Sequence, residues 1–220
     1  MNTVRIIIFA AALSLACLGS LSAQVLDISS GGAPTITGSV GGSVTGSPDV
    51  QNDLVVTVNF GELSAMNTNS IVKVTVPIAL RSRIPYQVTV TYAGSSNANP
   101  QAIQKSDIGF GVSNWHALAN GRICNGSPHI IYPPFGNDPS TTRTIAANGR
   151  AQYTSTFGNI TTATLILSGP RLSQNASVNR QPNDGYVFDA IFVITPQFFA
   201  AGTTSATLTF TISAGPAAPC

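Results

Sequence analysis

Ionised side chains are scarce in this chain. Ten Lys+Arg and eight Asp+Glu make up 8% of its 220 residues, where a soluble domain ordinarily carries about 25%. Lys73 and Lys105 are the two lysines, Glu62 is the single glutamate, and the net charge is +2. A nucleic-acid binder needs a phosphate-neutralising run of Lys and Arg, and none is present. Coiled coils and helical bundles need Ala, Glu, Lys and Leu at helical spacing, which is also missing. The hydrophobic content of 43% excludes a charge-rich disordered chain. No nucleic-acid partner is expected.

Histidine and cysteine are nearly as rare. His116 and His129 are the only imidazoles, and Cys17, Cys124 and Cys220 the only thiols. No G-x-S-x-G elbow, H-E-x-x-H pair or S-x-x-K with partners occurs. Asp107, Asp138, Asp184 and Asp189 are scattered singly, whereas a glycosidase needs two carboxylates facing one sugar. Cys124 and His129 lack zinc-site spacing. Asn137-Asp138 and Asn183-Asp-Gly185 carry calcium-type oxygens, but such clusters usually make turns. The expectation is a non-catalytic protein with no cofactor and no metal. A hydrolase using His116 is the weakest alternative. Asn125-Gly-Ser127, Asn159-Ile-Thr161 and Asn175-Ala-Ser177 match the N-glycosylation pattern, a weak signal in so Asn-rich a chain.

The N-terminus reads as an address. Arg5 precedes an apolar run from Ile6 to Leu18, and small residues follow to Ala23. This is the layout of a secretory signal peptide over residues 1–23. Lipidation at Cys17 is the rival processing event. No later run approaches the roughly 20 apolar residues of a membrane span. The expected location is exported: extracellular or cell surface, with periplasm in transit. Export permits disulfides, so Cys124 and Cys220 are paired in this reading. Such a bridge would close a loop worth about 4–5 kcal/mol in the chain-entropy model. The other reading is a free buried Cys124 and a frayed Cys220.

What the chain has in quantity is period-two alternation. Leu54, Val56, Val58 and Phe60 share one strand face; Val72 to Leu80 and Ile84 to Tyr92 form two more strands. Pro77 cannot donate to a ladder, so it predicts an edge or bulge. Ile108, Phe110 and Val112 make a fourth set, and Ala163, Leu165 and Leu167 a fifth. Tyr186 to Thr195 is apolar on both faces except at Asp189, which predicts a central strand. Asp189 itself reads as a hydrogen-bonded carboxylate or an edge-protecting charge. Ala206, Leu208, Phe210 and Ile212 complete the series. Regular short strands with Gly and Asn turns predict an all-β sandwich or barrel. Residues 117–148 read as a large loop. The expected division is a leader at 1–23, a Gly/Ser-rich extension at 24–50 and a β-sandwich domain at 51–220.

Within the extension, Ile36, Gly38, Val40, Gly42 and Val44 alternate with small polar residues. Such a stripe can add a strand to a neighbour's open sheet edge, or serve as the first strand of its own sandwich. Trp115, Tyr132 and Phe135 lie in or beside the long loop and are the candidate ligand or partner contacts. They motivate an adhesin or carbohydrate-binding module as the alternative function.

The segment Phe199-Ala-Ala-Gly-Thr-Thr-Ser-Ala-Thr-Leu-Thr-Phe-Thr-Ile-Ser213 resembles the end of bacterial pilin-type domains, from chaperone–usher fibres and spore-coat-like filaments. The resemblance implies an incomplete immunoglobulin-like antiparallel sandwich, completed by the N-terminal strand of the next subunit. It also implies a homopolymer or related surface subunit as partner and a periplasmic chaperone in transit. The Ile36–Val44 stripe is then the donor.

Overall fold

The computed structural model describes residues 26–37, 43–46, 52–63, 71–93, 103–118, 129–172, 185–195 and 202–216. Its elements are β1 (Leu26–Ser30), β2 (Thr35–Thr37), β3 (Ser43–Gly46), β4 (Asp53–Leu63), β5 (Val72–Ser82), β6 (Tyr86–Ala93) and β7 (Ile108–Ala117). They continue with β8 (Ile130–Ile131), β9 (Thr144–Ile145), β10 (Ala151–Gln152), β11 (Thr164–Gly169), β12 (Tyr186–Ile194) and β13 (Gly202–Ala214). Short 3-10 turns at Lys105–Asp107 and Phe157–Asn159 are the helical elements among the described residues. The fold is all-β.

Two antiparallel sheets face each other. The first has the order β1-β5-β12-β7, with β2 also on β5; the second has the order β3-β4-β13-β6-β11-β8. Alternation explains why they face: every second residue of a strand points to one side. Leu54, Val56, Val58 and Phe60 of β4 meet Val72, Val74, Val76, Ile78 and Leu80 of β5 and Phe188 and Phe192 of β12 in one buried cluster. Phe110 sits among rings from several strands, with centroids of Phe135 and Phe192 at 5.5 Å and Phe210 at 6.3 Å.

The outer face of the first sheet is also covered. Pro139 and the Tyr153 ring lie against Gly109, and the Asn137 carbonyl lies against Gly111, closer than any Cβ would permit. The ion pair Lys73–Asp138 and the bond from Arg143 Nη1 to Thr195 Oγ1 (3.3 Å) tie the same segment to β5 and the end of β12. Val193 pairs with Lys73 on one side and Gly109 on the other, and it is fully buried. That is why β12 is apolar on both faces.

Three sequence expectations change, and the two readings of Asp189 are decided. Residues 26–37 and 43–46 are not a separate extension: β1, β2 and β3 are edge strands of the two sheets, and Ile28 and Asp27 are fully buried. Pro77 lies inside the sheet, on the interior strand β5. The β1 and β2 ladders cover residues 78–82 and 73–75 of β5, so its missing N–H falls at the break between them. Gly31 N–H donates to the Pro77 carbonyl there at 2.8 Å. In β11 a bulge between Leu165 and Leu167 breaks the alternation, so Ile166 and Leu167 are both buried and Ala163 is exposed. Asp189 is the hydrogen-bonded carboxylate and not an edge guard: β12 is central, and Asp189 accepts a bond from Asn114 Nδ2 at 2.9 Å. The expected leader at 1–23 and the expected Cys124–Cys220 pair lie outside the described residues.

Candidate functional site

The place where a neighbour's strand would be sought is beside β13, which holds residues 202–213 of the segment on which the expectation rests. That place is filled by β4 of the same chain. The ladder runs antiparallel from Gly202↔Leu63 to Thr211↔Asp53, with one shift between Thr203 and Ser205. Leu54, Val56, Val58 and Phe60 point into the core and are 0–2% exposed. Each such burial is worth about 1.5–3 kcal/mol. On the outward face Thr57 Oγ1 and Thr207 Oγ1 are 2.9 Å apart, and the Thr211 hydroxyl donates to Asp53. The Ile212 N–H reaches the Asn52 carbonyl at 2.8 Å.

The stripe forecast as a single donor strand is split. Ile36 lies in β2 and pairs with Val74 in the first sheet, while Val44 lies in β3 and pairs with Val58 in the second. Gly38, Val40 and Gly42 lie outside the described residues. The physical reason is that each sheet offers a free edge on this side, and the chain passes from one to the other. Both Ile36 and Val44 are half-buried against the core. The deeper anchors are upstream. Ile28 is fully buried, and Asp27 accepts Arg81 Nη1 at 3.2 Å inside the fold. The same nitrogen donates to Ser29 Oγ at 2.9 Å, which helps satisfy a charge that would be costly to bury alone. Arg81 and Asp27 are 54 residues apart, so no local pattern could have joined them.

The aromatic contacts fare unevenly. Phe135 is 2% exposed and packs on Phe110, so it is a core residue and offers no surface to a ligand. Tyr132 is half-buried, with its hydroxyl 3.1 Å from Ser168 Oγ. Trp115 is half-buried and stacks on Tyr186 at 5.1 Å and 15°, with His129 at 5.1 Å on it. Among the described residues its place is in a packed aromatic group at the end of β7.

His129 completes that group. Its Nδ1 is 2.9 Å from the Tyr86 hydroxyl. Burial, with Tyr186 nearby, pushes the Tyr86 phenol far above its ordinary value, so it stays a proton donor. Burial lowers the His129 imidazole, which favours the neutral ring beside the Tyr86 hydroxyl. Gly169 lies so close that a Cβ there would overlap the His129 ring. His116 is exposed, with Nδ1 2.7 Å from the Asn114 carbonyl; among the described residues it makes no bond to a hydroxyl or carboxylate. Burial alone raises the Asp138 carboxyl, but bonds from Lys73 and Ser140 outweigh it and hold the group below its ordinary value. Among the described residues no three His, Cys, Asp or Glu side chains gather as a metal would require.

The arrangement is an alternating strand seated in an antiparallel ladder, with its apolar side chains in the core. Its key residues, Leu54 to Phe60, were legible as a strand but not as the occupant of this place. No protein-family model, curated protein or solved structure matches the chain.

Proposed function

We propose that this protein is an exported structural subunit of an extracellular fibre or surface coat, whose copies join by exchanging the N-terminal arm that ends in β4. The observation that carries the reading is β4 beside β13, with four apolar side chains in the core. In this reading the sandwich is immunoglobulin-like and pilin-like. The order β1-β5-β12-β7 corresponds to strands A-B-E-D, and β4-β13-β6-β11 to G-F-C-C′. The correspondence is one of spatial order: the G place is taken by a strand that precedes B in the sequence, and β7 in the D place precedes β11 in the C′ place. A segment placed so can fill its own groove or that of the next copy, because its ladder bonds and pockets are the same in both cases. The donor is therefore Leu54–Phe60, with β1 to β3 travelling alongside, instead of the Ile36–Val44 stripe alone. The leader at 1–23 supports export.

The test uses Thr57 and Thr207, which face each other across the ladder. Thr57→Cys and Thr207→Cys chains are unfolded, mixed, refolded at high concentration and oxidised. The expected result is a cross-linked heterodimer whose digest yields a peptide pair bridged between positions 57 and 207, alongside SDS-resistant oligomers. A bridge that forms in the double variant but never between the two single variants would overturn the reading.

A further inference from the structure

The two 3-10 turns and the β9–β10 hairpin enclose a second feature, an open cleft of about 540 Å³. This is within the range of about 300–1,000 Å³ typical of small-molecule sites. We propose that it is a binding site for a neutral saccharide, separate from the assembly edge.

The floor is fixed. Asp107 is almost fully buried, its carboxylate accepts the Gln104 N–H at 2.8 Å, and both oxygens accept Arg150 Nη2, at 3.0 and 2.8 Å. The Arg150 side chain is 42% exposed. One nitrogen is thus anchored while the rest of a rigid planar fork faces the cleft. Among the described residues nothing bonds Arg150 Nη1 or Nε, the Gln152 amide or the Thr154 hydroxyl. Gln152 and Thr154 are exposed, and all three residues line the cleft. The walls are held without using these groups. Asn148 Oδ1 accepts the Arg150 N–H at 3.1 Å in the hairpin turn, and Thr156 and Asn159 cap each other's turn. The turns that carry the unused donors and acceptors are therefore set before any ligand arrives, which lowers the ordering cost of binding.

Charge selects the ligand class. Asp107 and Arg150 are the ionised residues of the lining, and they neutralise each other. Lys105 is turned away, its Nζ 4.7 Å over the Tyr92 ring. An anion would meet a cation already paired, whereas neighbouring sugar hydroxyls match a planar guanidinium and an amide, each able to bond two groups at once. The lining is polar, with Ala151 and Tyr153 the apolar or aromatic members, so it offers no pocket for an apolar peptide side chain.

The test is a nitrogen–proton NMR titration of the purified full chain. The probes are glucose, galactose, mannose and N-acetylglucosamine and their β-1,4-linked disaccharides, each taken to about 20 mM because millimolar affinity is the weak limit of interest. The expected result is saturable shifts of amides within 148–156 with at least one sugar. Gln152→Ala, which touches no structural bond, and Arg150→Lys, which keeps the charge beside Asp107, are each expected to weaken binding about tenfold. The proposal is overturned by no saturable shift with any sugar, by unchanged binding in both variants, or by shifts with sodium sulfate but with none of the sugars.

Discussion

The two lateral sides of the sandwich are closed in different ways. On one side, β7 is sealed by an irregular segment: its Phe110 and Val112 N–H groups donate to the Ser155 and Phe135 carbonyls at 3.2 and 2.7 Å. Pro139, Tyr153 and Asn137 fit only because residues 109 and 111 are glycine. On the other side, β1, β2, β3 and β4 are held by repeating ladder bonds and by alternate side chains in pockets. Both solutions protect strand edges from uncontrolled pairing. The first is made of contacts that do not repeat, so a different segment does not fit. The second is made of contacts that any chain with the right alternation can make, including another copy of itself. In the proposed assembly, the contrast places exchange on the side of the ladders.

That contrast is most exposed at the arm. Phe60→Ala removes a fully buried ring and should cost about 3–5 kcal/mol, read as a lower denaturation midpoint and loss of any SDS-resistant oligomer. A loss below about 1 kcal/mol would mean that β4 adds little to the fold. Next in size is Asp27→Ala, which leaves Arg81 buried without its carboxylate. A loss of about 3 kcal/mol is expected in urea unfolding. An unchanged midpoint would show that the β1 anchor is dispensable.

The opposite side is probed by Gly111→Ala, whose Cβ would collide with the Asn137 carbonyl oxygen. It should cost about 1–3 kcal/mol and raise hydrogen exchange in residues 135–156 while sparing β4. Equal exchange in both regions would erase the distinction drawn between them. The smallest effect is a pH dependence at the aromatic group. Burial holds the folded His129 below 6.5, so the unfolded chain takes the proton first as pH falls. Its contribution is present above 6.5 and is lost as pH drops through the folded value. The midpoint should therefore fall more in the parent than in a His129→Leu variant between about pH 7.5 and 5.5. A parallel fall in both would assign the pH dependence elsewhere.

Much of this was readable residue by residue. The alternating runs that became β4, β5, β6 and β13 stand in the sequence, because a half-buried strand must alternate. The double-sided apolarity of β12 marked it as central. Where local reading failed, a distant partner was responsible. Pro77 looked like an edge residue, but a break between two short strands absorbs its missing donor. Ala163, Leu165 and Leu167 looked like one face until a bulge against β6 inserted Ile166. Phe135 looked like a loop aromatic and became a ring of the core. The Arg150–Asp107 cleft was invisible, since its residues come from three elements that only the fold brings together.

The class of structure follows from the residues alone: a charge-poor, β-branched, alternating chain buries one face of nearly every strand. Period-two geometry belongs to each residue and its neighbours, so it needs no distant partner. Which strand lies beside which was a matter for the folded chain as a whole. Folding put β4 rather than the Ile36–Val44 stripe against β13, and buried Asp27 on Arg81. Ladder bonds are made by backbone common to all residues, so pairing is chosen by the fit of the whole core.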